Sequence, residues 1–73
     1  LKLKVNGELR QDGTTAQMMR SIEEIIAELS QFYTLEAGDI ILTGTPAGVS
    51  RIQSGDKLEG EIEQVGTLSV TVA

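Results

Sequence analysis

The sequence predicts an α+β fold with a mostly β core, on three observations. Short stretches alternate apolar and polar residues between turn signals, the pattern of half-buried strands. One stretch alone carries helical periodicity. That stretch interrupts hairpin-like pairs instead of alternating regularly with strands, which separates α+β from a parallel α/β sheet. The expectation is about five strands and one amphipathic helix in a single unit.

Each element follows from local chemistry. Leu1-Lys-Leu-Lys-Val5 alternates with period two and reads as a strand. Asn6-Gly7 follows, a strong hairpin signal because both central residues of the turn need positive φ. Glu8-Leu-Arg-Gln11 returns as the second strand, and Asp12-Gly13 is another turn. Ser21 and Glu24 have capping-box spacing. Ile22, Ile25, Ile26, Leu29 and Phe32 then recur at three- and four-residue steps, which predicts a helix from about Ile22 to Gln31. Glu23, Glu24 and Glu28 face water, and the first two suit the positive end of the helix dipole. Met18, Met19 and Ile22 are expected in the core, with Tyr33 a partly buried cap over it.

Glu36-Ala-Gly-Asp39 reads as a turn, and Ile40-Ile-Leu-Thr43 as a buried strand. Thr43-Gly-Thr-Pro-Ala-Gly48 is dense in loop formers. Gln53-Ser-Gly-Asp56 is a further turn. It leads into a strand over Lys57 to Glu63. Val65-Gly66 turns the chain into Thr67 to Val72, closing a C-terminal hairpin. The two Gly-Asp turns share chemistry and do not imply a repeat.

Composition excludes several function classes. The 73 residues contain no cysteine and no histidine. Disulfides, thiolate nucleophiles and thiolate metal sites are therefore ruled out. So are the commonest general base and the commonest zinc ligand. A net charge of −5 with scattered Lys and Arg argues against nucleic acid and anionic membranes. No apolar run approaches the length of a spanning helix. A soluble, cytoplasmic protein is the expectation. Leu1 stands where an initiator Met would, inside a strand, so an upstream portion is expected.

The loop Thr43–Gly48 is the most informative segment. It follows a predicted buried strand, and its hydroxyls and glycine-freed N–H groups suit a carboxylate or phosphate. It is not a phosphate-binding loop of the Gly-Lys-Ser/Thr type. A plain structural turn is the competing reading. Glu59, Glu61 and Glu63 alternate, so they share a strand face and have the donor type for a hard cation. A solvated face opposite Leu58 and Ile62 is the favoured reading. Arg10 and Arg20 have the chemistry to clamp a carboxylate, and surface charge is the favoured reading for both. No acid–base or nucleophile–base pair assembles from these residues.

Four segments in register resemble the fumarylacetoacetate hydrolase family. They are Val5-Asn-Gly-Glu-Leu-Arg-Gln11 with Thr14-Thr15 and Met18; Ile25-Ile-Ala-Glu-Leu-Ser30 running to Thr34-Leu35; Gly38-Asp-Ile-Ile-Leu-Thr-Gly-Thr-Pro-Ala-Gly-Val49; and Gly55-Asp56 with the strand to Glu63 and Val65-Gly-Thr-Leu68. The third is the most specific, and order and spacing fit along essentially the whole chain.

The resemblance implies that residues 1–73 are the C-terminal part of a single catalytic domain with a mixed β-sheet roll, usually in a homodimer. It implies Mg²⁺ or Mn²⁺ held by two glutamates and an aspartate upstream of the matching region. A lysine and a His–Glu pair would also lie upstream, so this segment holds no catalytic residue or metal ligand of its own and alone would be inactive. The Glu59-Gly-Glu61 pattern is not assigned the metal role. Substrates would be small 2-oxo or 2,4-dioxo acids, polarised by the cation so that enolate charge is stabilised. In the hydrolases, the His–Glu pair would activate water. Thr45 carries over as the residue reaching the substrate's carboxylate, and Gly44 as the position where backbone approaches closely.

The resulting expectation is a metal-dependent hydrolase of acylpyruvates, such as fumarylacetoacetate or fumarylpyruvate. A decarboxylase or isomerase of aromatic catabolism, of the 2-hydroxyhepta-2,4-diene-1,7-dioate type, is the alternative within the family. A non-catalytic small-ligand or interaction module is the alternative of another class. The helix and first hairpin are expected to serve packing.

Overall fold

The structure, a computed structural model, describes residues 1–73. The chain divides into two compact units, Leu1–Gly13 with Thr45–Ala73, and Thr14–Gly44.

The first unit is a four-stranded antiparallel sheet. Its strands are β1 (Lys2–Val5), β2 (Glu8–Asp12), β3 (Lys57–Ile62) and β4 (Gly66–Thr71). Their order is β2-β1-β3-β4. The Asn6-Gly7 hairpin forms as predicted, with φ of 51° and 80°. A second tight turn with Gln64 at φ 65° joins β3 to β4.

Register explains the alternation of the sequence. Lys2 stands opposite Glu61 and Lys4 opposite Glu59, so opposite charges pair across β1 and β3 on one face. Ser69 and Thr67 continue that polar face onto β4. The other face carries Val5, Leu58 and Val70 in one row and Leu3, Gly60 and Leu68 in the next. Val5 is the one buried hydrophobic residue, at 2% exposure.

Between β1 and β2 the register slips. Leu3 pairs with Gln11 while Lys4 pairs with Leu9, which leaves Arg10 as the extra residue of a β-bulge. Without the bulge, Leu9 and Gln11 would share a face. With it, Leu9 lies on the Lys4 face and Gln11 turns to the side of Leu3 and Val5. Gln11 is the one buried polar side chain, at 8% exposure.

The second unit holds α1, Ile22–Leu29. Ser21 caps it, its Oγ accepting the Glu24 N–H at 3.1 Å. This is the Ser half of the predicted capping box. A complete box forms instead at Thr14 and Gln17, around a short 3₁₀ turn at Thr15–Gln17. The helix ends two residues earlier than predicted, where Ser30 and Gln31 tighten into a turn.

Three expectations for the second unit are corrected. No residue of α1 is buried; Met19 and Ile22 are exposed, and Met18 is half-buried. Tyr33 is exposed beyond the helix end. Ile40–Thr43 is not a strand, and Ile40 and Leu42 are 84% and 91% exposed. An unbroken apolar run signals a strand covered on both faces, but a strand also needs a ladder partner. Within these residues 40–43 have none, so four strands form and not five.

Candidate functional site around Thr45

The predicted loop begins at the boundary of the two units. Gly44 closes one, and Thr45 opens the second stretch of the other. Gly44 adopts φ 89°, and a Cβ there would meet nothing within 4 Å. Its glycine is demanded by backbone conformation and not by a crowded neighbour.

Thr45 is exposed, and its hydroxyl is gripped from below by Gln11. Gln11 Nε2 donates to Thr45 Oγ1 at 2.8 Å and to the Pro46 carbonyl at 2.9 Å. The Ala47 carbonyl lies farther off, at 3.5 Å. One buried amide thus holds Thr45 and Pro46 against β2, with the Ala47 carbonyl beside them. Gly48 completes the grip. Its φ is 103°, and a Cβ on it would collide with the carbonyl oxygen of Arg10, the bulge residue. Arg10 reaches further along the same loop, its Nη1 donating to Ser50 Oγ at 2.6 Å.

Arg10 is therefore more than a surface charge. Its side chain is partly buried, and its Nε has no hydrogen-bond partner, with Glu8 Oε2 3.8 Å away. Arg20 pairs with Glu28 in the second unit and is exposed.

The acidic residues of β3 do not converge. Glu59 lies beside Lys57 at 3.7 Å and opposite Lys4. Glu63 falls in the turn after β3 and leaves the strand face on which it was expected. No group of three His, Cys, Asp or Glu side chains is placed to hold a metal ion. The residues present do not by themselves fit the carboxylate set of a divalent cation.

At the far end of the sheet, the Asp56 carboxylate accepts from the Gln53 N–H at 2.9 Å and from Asn6 Nδ2 at 2.9 Å. The Gln53 N–H and then the Asn6 amide hold its pKa below the ordinary value of 3.8; partial burial opposes them and the Arg10 charge assists. Asp39 makes the same turn in the other unit, accepting from the Glu36 N–H at 2.8 Å. Gly38 and Gly55 sit at φ 93° and 90° in these two turns, which bears out their reading as shared turn chemistry.

The sequence singled out Thr45 and Gly44 as candidates but not Gln11 and Gly48 as the residues that hold the loop. Gly48 was visible in the motif as a loop former. Gln11 carried no local signal, because only the bulge turns it inward.

Residues 1–73 match the model of the fumarylacetoacetate (FAA) hydrolase C-terminal region. A maleylpyruvate hydrolase of Aquipseudomonas alcaligenes is 43% identical over 99% of this chain and 25% of its own length. An oxaloacetate tautomerase of Escherichia coli is 60% identical over 80% of this chain and 26% of its own. A solved structure from Yersinia pestis, ascribed to the fumarylacetoacetate hydrolase family, superposes with a TM-score of 0.89 at 44% identity. It covers 99% of this chain and 34% of that one. The chain thus spans about a quarter of the length of the curated relatives it matches.

Proposed function

This chain belongs to the fumarylacetoacetate hydrolase family, and on that premise we propose that it forms the carboxylate-binding end of a catalytic domain acting on 2-oxo acids. The rest of that domain lies outside residues 1–73 and completes the β-sheet roll. Mg²⁺ or Mn²⁺ would be held by residues outside this segment, because those within it do not fit the ion. The complete protein would be a cytoplasmic homodimer.

The observation that carries the reading is the hydroxyl of the exposed residue Thr45, held in place by the side-chain amide of the buried Gln11. A carboxylate accepts hydrogen bonds only, and a fixed hydroxyl on a loop is a suitable donor to it. The bond is worth about 1.5–3 kcal/mol if made to the charged group. The two named relatives support the substrate class, since maleylpyruvate and oxaloacetate both carry a carboxylate next to an oxo carbon. With an acylpyruvate, water would be added across the carbon–carbon bond, releasing pyruvate and a carboxylic acid. Thr45 would orient the substrate for that step.

The 60% identity to an oxaloacetate tautomerase favours a second reading. There the same carboxylate contact serves a proton shift between the α-carbon and the oxo oxygen, in which a C–H bond is exchanged for an O–H bond and no carbon–carbon bond is broken. The structural alternative of a non-catalytic module predicts no turnover of either substrate.

The test uses the complete protein, with acylpyruvates and oxaloacetate as substrates, in the presence of Mg²⁺, Mn²⁺ or a chelator. Turnover of an acylpyruvate supports the hydrolase, and keto–enol exchange of oxaloacetate alone supports the tautomerase. Thr45→Ala is expected to raise KM roughly ten- to a hundredfold while leaving the unfolding transition in place. Unchanged kinetics would sink the role of Thr45. An intact mass equal to that of the 73 residues would sink the larger domain.

A further inference from the structure

We propose that Gln11 is a positioning residue that fixes the Thr45 hydroxyl as a hydrogen-bond donor toward the substrate carboxylate. The inference rests on the reading of Thr45 above and adds the residue that sets its polarity.

The geometry leaves little choice of orientation. The Gln11 amide faces the carbonyl oxygens of Pro46 and Ala47 as well as Thr45 Oγ1. Carbonyls cannot donate, so a flipped amide would set Oε1 against two acceptors. Nε2 must therefore face the loop, and its two hydrogens go to Thr45 Oγ1 at 2.8 Å and Pro46 O at 2.9 Å.

Once Oγ1 accepts from Gln11, the hydroxyl's own hydrogen is directed away from the amide. Thr45 is an exposed residue, and its hydroxyl donates no hydrogen bond within this chain. A free threonine hydroxyl can rotate to donate or accept. With one lone pair occupied by the amide, this one has its hydrogen directed outward. An acceptor-only group such as a carboxylate satisfies that outward donor.

The bulge at Arg10 makes this possible. It turns Gln11 onto the inner face, where burial fixes its rotamer. Gly48, packed against the Arg10 carbonyl, holds the loop within reach of the amide.

Three single variants and one double variant of the complete protein test the idea. Gln11→Met keeps length and volume but removes the donor; KM for the 2-oxo acid is expected to rise about tenfold, with kcat changed much less. Gln11→Glu reverses the polarity when ionised, so the Thr45 hydrogen is drawn inward. Its KM is expected to fall as pH is lowered through the introduced carboxyl's titration, because the protonated form donates again. Thr45→Val removes the hydroxyl, and adding Gln11→Met to it is expected to leave KM unchanged.

If Thr45→Val leaves KM at the wild-type value, the role of Thr45 fails and this inference with it. If Thr45→Val raises KM but Gln11→Met does not, this inference alone fails. A Gln11→Glu KM that follows the wild-type pH profile would also overturn it. Should the Gln11 variants not fold, the wild-type Gln11 side-chain NH₂ resonances supply the readout, with pyruvate as the probe. They are expected to shift on saturation with pyruvate in wild type and not in Thr45→Val; no wild-type shift would overturn the proposal.

Discussion

Asn6 Nδ2 donates to Asp56 Oδ1 at 2.9 Å, while Asn6 Oδ1 accepts the Lys57 N–H at 2.9 Å. One side chain from the first hairpin turn thus holds the start of β3, with the Asn6 N–H donating to the Lys57 carbonyl at 2.8 Å as a third link. Asn6 answers two demands at once, since its φ of 51° suits Asn and Gly far better than other residues. Asn6→Gly keeps the backbone freedom and removes both side-chain bonds. It is expected to cost about 1–3 kcal/mol in urea denaturation of the complete protein. Asn6→Ala should cost more, because left-handed strain adds to the lost bonds. Equal losses in the two variants would show that φ at Asn6 carries no weight.

Asp56 gives this junction a pH dependence. Its carboxyl is held below the ordinary value of 3.8, first by the Gln53 N–H and then by the Asn6 amide. A depressed folded-state pKa means that the unfolded chain takes up the proton first as pH falls. The stabilisation is therefore fully present above about pH 5 and is lost as pH drops through the folded value, below about 4. The stability difference between wild type and Asp56→Asn is expected to be constant near neutrality and to shrink in that acid window. A difference that stays constant down to pH 2 would contradict the assignment.

Much of this fold was legible because its signals are local. Asn6-Gly7 fixes its hairpin by φ alone, Ser21 caps its helix within three residues, and both Gly-Asp turns close on their own carboxylates. The two hairpin pairs also followed from alternation, whereas the pairing of β1 with β3, which sets Lys2 and Lys4 opposite Glu61 and Glu59, did not. The features that were not legible depend on partners distant in sequence. An extra residue at Arg10 reverses the side chains beyond it, and nothing in Leu9-Arg10-Gln11 announces that. Ile40–Thr43 has strand composition but no strand to pair with among these residues. Thr45 is a candidate through its motif, and the amide that binds it is visible only in the fold.

The two loop glycines are expected to respond differently to a methyl group. Gly44→Ala adds left-handed strain at φ 89° but meets no neighbour, so a loss of about 1–2 kcal/mol is expected. Gly48→Ala has the same strain at φ 103° and also drives a Cβ into the Arg10 carbonyl, backbone that cannot step aside cheaply. Its loss should exceed that of Gly44→Ala by at least about 1 kcal/mol. KM should rise as well, since the loop would lift from Gln11. Thermal denaturation and kinetics of both variants in the complete protein check this; equal stabilities would argue against a close approach at Gly48.

Leu68 separates this chain alone from the proposed larger domain. It lies on the apolar face of β4, opposite Gly60, and remains exposed, as do Ile62 and Val70. A sheet with one buried hydrophobic residue has little apolar burial to offset chain entropy. The 73 residues expressed alone are therefore expected to unfold without a cooperative transition, and Leu68→Lys should change little there. In the complete protein the same face would be covered, and Leu68→Lys should then destabilise by roughly 2–4 kcal/mol, through lost burial and a desolvated ammonium. Circular dichroism melts of the four samples decide between the two states. A cooperative melt of the 73 residues, or a neutral Leu68→Lys in the complete protein, would mean that this face needs no cover.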